Sequence, residues 1–489
     1  MYVKVWKQIE FTNRENNGNK YRLSKETGID RVLLYRVING EREPSKAFVD
    51  KVYAGLRLSP ADEKKLRELY EIAKIGEDVH ERRLLVKELV NHLNSLRMEQ
   101  KRVESRKAIV VDGLGDRLKV VSGSYNVNML VRDLLEDLAY NARQQWLRTN
   151  IPFDYAFLFD ILRHLYFEMN GAINIRHIVT FAKDTNSHRN PNINLETLAN
   201  MLPFLFCEGN GYQPEYYYPD TMNYNSVFMP YSLFTETRLL MLSSDFKTAM
   251  LVNDFDAVNA CHATFDAFPV KPLFRYLSNP ADQLNVYSDI YSLNDIPDVV
   301  GIERQPCWMG YLSEVMVETY IRKGTHNRES VKLPLIRDIN CAKSTKISSF
   351  FIEDGLNEFI SNGYLEYESR QYALPIDVSD RLLILKSFRE DIARDRNNSR
   401  IINPSEITVS QNTTVQIFIN STVLFSTLHE NGRKICFFNE SSIYESFSDF
   451  FLNIHNTDWV YSKQETLDIL DKYIRKLEKY TVSQTMTDV

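Results

Sequence analysis

The sequence predicts a multi-domain protein with an all-α bundle at the N-terminus, a helical connector, and a large α+β or α/β body. The chain has 489 residues, enough for about three domains of roughly 150 residues each. Apolar residues follow helical spacing up to about residue 107, and short strand-like and helix-like segments alternate after it. Such alternation is typical of helices covering a sheet.

These patterns predict five segments. Residues 1–58 form the N-terminal bundle, and residues 59–107 form the connector. The body then divides into a first half over 108–295, a helical insert over 296–400, and a second half over 401–489.

Composition excludes several protein classes. Only 17 Gly and 16 Pro are present, which excludes collagen-like and linker-rich chains. No uncharged apolar run reaches about 18 residues, so no membrane partner is expected, and the first ten residues lack the apolar core of a secretion signal. The five cysteines are scattered and odd in number, which argues against a disulfide framework or a CxxC metal site. We therefore expect a cytoplasmic protein.

Charge is distributed unevenly along the chain. The net charge is −6, yet residues 1–60 contain twelve Lys and Arg against seven Asp and Glu. A basic N-terminal segment on an acidic body indicates that one end meets a polyanion.

The most informative stretch runs from Lys20 to Gly40. Leu23 and Thr27 lie one helical turn apart, and Gly28 offers the positive φ that a tight turn between helices needs. Ile29 fills the corner, and Asp30 is suited to cap a second helix. The inward face of that helix carries Leu34 and Val37, and its outer face carries Arg31, Val32, Tyr35 and Arg36.

This stretch resembles the helix-turn-helix of the Cro/repressor family, also called XRE-like. The resemblance covers about residues 4–58, with a first helix near 3–13. It depends on the ordered set Leu23, Ser24, Gly28, Ile29, Leu34 and Val37, followed by Asn39–Ser45. Ser45 would cap a further helix bearing Phe48, Val49, Val52 and Leu56. Thr27 departs from the family, which usually has an aliphatic residue there.

The resemblance implies that Asp30–Asn39 lies in the major groove of double-stranded DNA. Arg31 and Arg36 would reach base edges, Val32 a thymine methyl group, and Tyr35 a base or a phosphate. Asn39 completes the contacts expected from this helix. The phosphate contacts are expected from Lys20, Lys25, Arg42, Ser45 and Lys46. A bundle of this type that binds protein instead of DNA is the alternative.

The sequence of the connector predicts two helices. Ser59 and Asp62 mark the start of the first. The second, over about 77–102, carries Leu85, Leu89, His92 and Leu96 at the spacing of a coiled-coil seam. A dimer seam and packing against the body both fit this pattern. A homodimer is favoured because a lone helix-turn-helix makes few contacts and two-fold proteins read two half-sites.

One pattern of strands and helix occurs twice in the body. A strand pair over Arg238–Val252 is followed by a helix over Asp256–Phe268, and a strand pair over Val423–Phe438 is followed by a helix over Ile443–Leu452. Two such units predict a duplicated domain, with coincidence between common motifs as the alternative. Further strands are predicted over 109–112 and 118–121.

This repeated pattern and the strand–helix–strand pattern over 154–181 distantly resemble the phospholipase D-like fold, which some transcription regulators use as a sensor. Catalysis in that family needs a His with a Lys two residues on, supplied twice, and no His of this chain has Lys at that spacing. Phosphate-loop, dinucleotide, HExxH and GxSxG motifs are also absent from the sequence. We therefore expect no catalytic residue, no metal and no cofactor.

Weaker chemical signals have structural explanations. Cys261 and His262 are adjacent, so on a helix they point about 100° apart. Asp254 and Asp256 suit the start of a helix better than a cation site. Cys307 lies in a loop-like context, where a reactive thiol is the minor alternative.

Together these observations predict a dimeric, sequence-specific DNA-binding transcription regulator whose body senses an unknown small-molecule, peptide or protein effector. One alternative is an antitoxin-like or phage-defence regulator that binds a protein partner. A second alternative is a DNA-targeted phospholipase D-like enzyme.

Overall fold

The computed structural model of this chain describes residues 20–39, 41–56, 59–93, 116–140, 145–169, 171–183, 190–207, 209–219, 229–277, 297–366, 372–429 and 432–487. Contacts divide the chain into two compact units, Met1–Leu85 and Val86–Val489. We call the first the N-terminal unit and the second the body. The helix predicted near residues 3–13, the strand predicted over 109–112, and Leu96 lie outside the described residues.

The N-terminal unit contains short capped helices. They are α1 (Lys20–Thr27), α2 (Arg31–Ile38), α3 (Lys46–Leu56) and α4 (Pro60–Ile75). Gly28, at φ +64°, makes the turn between α1 and α2. The Asp30 carboxylate accepts a hydrogen bond from the Leu33 amide at 3.0 Å. Ser45 and Ser59 accept equivalent bonds, both at 3.2 Å, at the starts of α3 and α4. Each such cap contributes about 1 kcal/mol to helix stability.

An apolar core joins these helices. The residues predicted to be inward-facing are buried: Leu23, Ile29, Leu34, Val37, Phe48, Val49 and Val52. Tyr53 of α3 and Leu66 and Tyr70 of α4 complete the cluster. Thr27, the departure from the family pattern, donates its hydroxyl to the Leu23 carbonyl at 2.7 Å, and its methyl carbon lies against Gly55 of α3. Helices α1 and α3 therefore approach closely at Thr27, because Gly55 has no side chain there.

Helix α5 (Glu77–His92) spans the boundary between the two units. Its buried residues are Val86, Leu89 and Val90, whereas His92 of the predicted seam is exposed and Leu85 only half-buried. Within the body, Lys87 pairs with Glu406 at 2.6 Å and lies 4.8 Å from the centre of the Trp459 ring. The buried face of α5 thus shares Leu89 with the predicted seam, but it otherwise consists of Val86 and Val90 in place of Leu85 and His92.

The first sheet of the body has eight strands, β1 (Leu118–Ser122), β2 (Trp146–Thr149), β3 (Asn174–Thr180), β4 (Tyr212–Tyr217), β5 (Tyr231–Phe234), β6 (Leu239–Leu242), β7 (Thr248–Val252) and β8 (Lys271–Pro272). Their order is β1-β7-β6-β5-β2-β3-β4-β8, with β2, β3 and β4 parallel and the other neighbours antiparallel. The helices of this half are α6 (Ser124–Tyr140), α7 (Ala156–Glu168), α8 (Ile193–Leu205) and α9 (Phe255–Asp266).

The second sheet has seven strands, β9 (Phe274–Leu277), β10 (Val299–Glu303), β11 (Ile347–Phe351), β12 (Arg400–Ile401), β13 (Thr413–Phe418), β14 (Thr422–His429) and β15 (Gly432–Phe438). Their order is β12-β11-β10-β13-β14-β15-β9, with β10, β11 and β12 parallel. Its helices are α10 (Glu314–Tyr320), α11 (Arg328–Lys343), α12 (Glu353–Asn362), α13 (Val378–Ala393), α14 (Ser441–Asn453) and α15 (Lys463–Thr487).

Apart from β8, which adds to one edge of the first sheet, the two sheets have the same topology. From one edge the first runs β1-β7-β6-β5-β2-β3-β4, and the second runs β9-β15-β14-β13-β10-β11-β12. Strands of the same rank along the chain therefore occupy the same place in each sheet. The predicted unit of strand pair and helix occurs twice, as β6–β7 with α9 and as β14–β15 with α14.

The position of the second repeat differs from the prediction. Residues 296–400 were expected to be a helical insert, but they supply β10 and β11 as well as helices α10 to α13. Every residue of β10 is buried, so the strand lacks the alternation of polar and apolar residues that marks a half-exposed strand. The second repeat accordingly begins at β9.

The two repeats meet inside the body through polar as well as apolar contacts. The buried Lys434 of β15 donates to the carbonyl oxygens of Cys207 and Gly209, at 3.0 Å each. Asn194 of α8 donates to Ser442 of α14 at 2.8 Å. The rings of Phe206 and Phe425 lie 5.9 Å apart. Across the described ranges, no helix has both the length and the apolar character needed to cross a membrane.

Candidate nucleic-acid interface

The predicted contact residues of α2 lie on its exposed face. Arg31, Val32, Tyr35 and Arg36 are all exposed, and Val32 retains 59% of its accessible surface. The opposite face is buried through Leu34 and Val37, which are 0% and 1% exposed. This division follows from helix geometry, because residues three apart share one face.

The turn before α2 fixes the orientation of this face. Ser24 of α1 donates its hydroxyl to the Ile29 carbonyl at 2.7 Å, and the Ile29 amide donates to the Thr27 hydroxyl at 3.3 Å. Ile29 is itself buried. These bonds tie the last turn of α1 to the residues that begin α2, so the exposed face of α2 is held by a packed corner.

Arg31 lies close to two aromatic rings. Its guanidinium carbon is 5.8 Å from the centre of the Tyr21 ring of α1 and 5.7 Å from that of Tyr35, one turn further along α2. Both distances are within the roughly 6 Å at which a cation is attracted to an aromatic face. Tyr21 is missing from the predicted contacts, because spacing within one helix gives no information on a neighbour from the preceding helix.

Four arginines of the N-terminal unit differ in their partners. Arg22 pairs with Glu26 at 2.8 Å, and Arg67 pairs with Glu63 and Asp50 at 2.7 and 3.2 Å. Among the residues that the structure describes, Arg31 and Arg36 have no carboxylate partner. Helix α2 itself contains no acidic residue. Its exposed face therefore offers two guanidinium groups whose charge is not neutralised within the described part of the unit.

The other predicted contact residues lie before and after this face in the sequence, and they differ in exposure and in hydrogen bonding. Lys25, Arg42 and Lys46 are exposed. Ser45 is exposed but its hydroxyl also caps α3, and Asn39 ends α2 while donating to Glu41 at 3.4 Å. Lys20 begins α1, and its side chain lies outside the described atoms.

Comparison with known proteins identifies no family. No protein-family model matches this chain, and no curated protein matches it. Among solved structures, the chain is similar to the crystal structure of phosphatidylserine synthase from Haemophilus influenzae Rd KW20, at 8% identity and a TM-score of 0.23. That similarity covers 77% of this chain and 96% of the other. A likeness of this degree carries no inference about activity.

The buried histidines of the body make structural hydrogen bonds. The Nε2 of His177 donates to the Ile151 carbonyl at 2.8 Å, so Nδ1 accepts from the Tyr212 hydroxyl at 2.9 Å. Burial lowers the pKa of His177 to about 4, and the imidazole is therefore neutral at pH 7. His262 contacts Arg148 and the Thr235 carbonyl, at 3.1 and 3.2 Å. Both rings have their nitrogens engaged.

The remaining chemical signals have similar explanations. Asp254 caps α9 by accepting from the Ala257 amide at 3.0 Å, and it also pairs with Arg117. Burial raises the pKa of the Cys307 thiol to about 12, so the thiol is protonated near pH 7. Within the described ranges, His, Cys, Asp and Glu are not grouped in threes as metal ligands would be.

Proposed function

We propose that this protein is a sequence-specific regulator of transcription that binds double-stranded DNA through α2. The observation that carries the proposal is the exposed face of α2, with two arginines and no acidic residue on the helix. Two exposed guanidinium groups without carboxylate partners among the described residues form a surface suited to an external anion or to hydrogen-bond acceptors. DNA offers both, in its phosphates and in the edges of its bases.

The chemistry of each side chain indicates which part of the DNA it contacts. Arg31 and Arg36 read base edges, because a guanidinium donates two parallel hydrogen bonds to N7 and O6 of guanine. Val32 contacts a thymine methyl group, and Tyr35 contacts a base or a phosphate. Lys25, Arg42 and Lys46 neutralise phosphates and set the register without reading sequence.

A homodimer and a sensing body complete the proposal. One small helical unit makes few base contacts, so tight specific binding calls for two units on two half-sites. The body binds an effector, and the difference in effector affinity between two states of the protein sets the response. The proposal includes no catalytic step, and in the described part of the body His177 is neutral and hydrogen-bonded and the Cys307 thiol is protonated.

The test is a selection of bound sequences by the full-length protein from a pool of random DNA duplexes. We expect an enriched inverted repeat, as a two-fold dimer requires. Arg31→Ala and Arg36→Ala should each lose preference at one base position by about 5- to 150-fold, which corresponds to the roughly 1–3 kcal/mol of a bidentate pair.

The control is Lys46→Ala, which should weaken binding to all sequences alike and reduce the salt dependence by about one phosphate contact. Failure of the wild-type protein to enrich any sequence would overturn the proposal. So would retention of the full base preference by both arginine variants.

A further inference from the structure

Tyr21 lies outside every predicted contact, yet it belongs to the surface around Arg31. It stands in the first turn of α1, and the residue is 57% exposed. Tyr35, the second ring near Arg31, is 37% exposed. Two exposed aromatic side chains from different helices therefore face one guanidinium, at 5.8 and 5.7 Å.

An aromatic neighbour holds a guanidinium differently from a carboxylate. A carboxylate accepts hydrogen bonds from the edge of the guanidinium and so occupies its N–H donors. An aromatic ring attracts the cation through its π face and accepts none of those bonds in the same way. The Arg22–Glu26 pair on α1 shows the first arrangement, at 2.8 Å. Arg31, between Tyr21 and Tyr35, keeps its donors available.

Restricting Arg31 has a consequence for recognition. An arginine side chain has many rotamers, and ordering it on binding lowers the affinity gained from each new contact. Tyr35 limits the side chain from its own helix, and Tyr21 limits it from the helix before. The packed corner of Ser24, Thr27 and Ile29 fixes these two helices relative to each other.

We propose that Tyr21 is a positioning residue that, with Tyr35, holds the Arg31 guanidinium ready to read one guanine in the major groove of each half-site. This inference rests on the proposed function of α2. The ligand chemistry is specific, because the pair of acceptors N7 and O6 of guanine matches the two donors along one edge of a guanidinium.

The experiment uses the full-length protein and the duplex selected by the wild type. At the guanine whose preference is lost in Arg31→Ala, one duplex carries 7-deazaguanine, which lacks the N7 acceptor. A second duplex carries inosine, which keeps N7 and O6 but lacks the minor-groove amino group. The wild type should bind the 7-deazaguanine duplex more weakly and the inosine duplex nearly as well as the parent.

Substitutions of Tyr21 then separate the ring from the hydroxyl group. Tyr21→Ala and Tyr21→Leu should lose about two- to fivefold of the preference at that one base pair, as expected for an exposed cation–aromatic contact. Tyr21→Phe should retain it. In the Arg31→Ala background, Tyr21→Ala should have no further effect at this position. Tyr125→Ala, which removes another exposed tyrosine ring, should leave every preference unchanged.

The outcomes distinguish this inference from the function on which it rests. If the wild type selects no sequence, the proposed function fails and the inference fails with it. If the wild type selects a site but Tyr21→Ala keeps the preference, or weakens all positions equally, only the inference is overturned. Circular dichroism and the thermal unfolding of each variant establish that a loss of preference is not a loss of fold.

Discussion

Helix α2 of the N-terminal unit and the body differ in the surroundings of their positive charges. In the body, Arg176 pairs with Glu215 at 2.6 Å, Arg389 pairs with Asp471 at 2.9 Å, and the ammonium group of Lys434 is buried against two carbonyl oxygens. On α2 of the N-terminal unit, Arg31 and Arg36 are exposed and have no carboxylate partner in the described part of the chain. Charges of the first kind are paired or hydrogen-bonded within the fold, and charges of the second kind are available to a partner.

The largest effect that tests this contrast is expected at Lys434. Lys434→Met keeps most of the side-chain volume but removes two charge-assisted hydrogen bonds between the repeats, leaving the Cys207 and Gly209 carbonyls without this donor. We expect the free energy of unfolding of the body to fall by about 3–5 kcal/mol, because two bonds of about 1.5–3 kcal/mol each are lost while part of the desolvation cost of the ammonium group is relieved. Chemical denaturation measures the loss.

Lys472 provides the matched control, because its side chain is 68% exposed. Lys472→Met should change stability by less than about 0.5 kcal/mol. An equally small effect of Lys434→Met would show that the buried lysine is not a structural charge.

The second test uses the pH dependence of the body. Burial lowers the pKa of His177 from 6.5 to about 4 in the folded protein. Between these values the unfolded chain binds a proton that the folded chain does not, so stability falls as pH decreases from 6.5 to 4. The expected contribution is about 3 kcal/mol.

Denaturation of the wild type and of His177→Gln over this pH range isolates that contribution. The advantage of the wild type should be about 3 kcal/mol greater at pH 7 than at pH 4. A difference that stays constant with pH would contradict the assignment.

The third test concerns the corner that holds α2. A methyl group added at Gly55 would overlap the methyl carbon of Thr27, so Gly55→Ala should destabilise the N-terminal unit by about 1–3 kcal/mol. Thr27→Ser removes that carbon and keeps the hydroxyl, and it should rescue Gly55→Ala. Helix propensity alone predicts the opposite sign, a gain of about 1 kcal/mol for Gly55→Ala, and thermal unfolding decides between them.

The smallest effects on stability are expected for substitutions of two arginines, one from the body and one from α2. Arg389→Gln removes a two-point ion pair whose members are 30% and 35% exposed, so it should lower stability by about 1 kcal/mol and leave DNA binding unchanged. Arg36→Gln should leave stability within about 0.5 kcal/mol and weaken DNA selectivity. If Arg36→Gln lowered stability and Arg389→Gln weakened DNA selectivity, the distinction between structural and available charges would be wrong.

Local signals in the sequence were sufficient for much of the N-terminal unit. Asp30, Ser45 and Ser59 begin the helices that they were expected to cap, because a cap is made within three residues. The burial of Leu34 and Val37 follows from helical spacing alone. Whether α2 binds DNA remains a prediction.

Contacts between distant residues were not predictable in this way. The fully buried β10 resembles a segment of buried helix in sequence, and its place in the sheet depends on β11 and β13. The packing face of α5 depends on partners near residues 406 and 459. The approach of Tyr21 to Arg31 joins two helices and leaves no periodic signal in either.

The shared strand order of the two sheets bears on how the chain is made. In each seven-strand repeat, leaving out β8, the earliest strand lies beside the latest, as β1 does beside β7 and β9 beside β15. Arg117 and Asp254, which pair next to the first of these junctions, are 137 residues apart. During translation each early strand therefore has no strand partner, and both of its edges are unpaired, until the last strand of its repeat has left the ribosome. Closure of each sheet by its last strand is the step at which a nascent repeat becomes protected from aggregation.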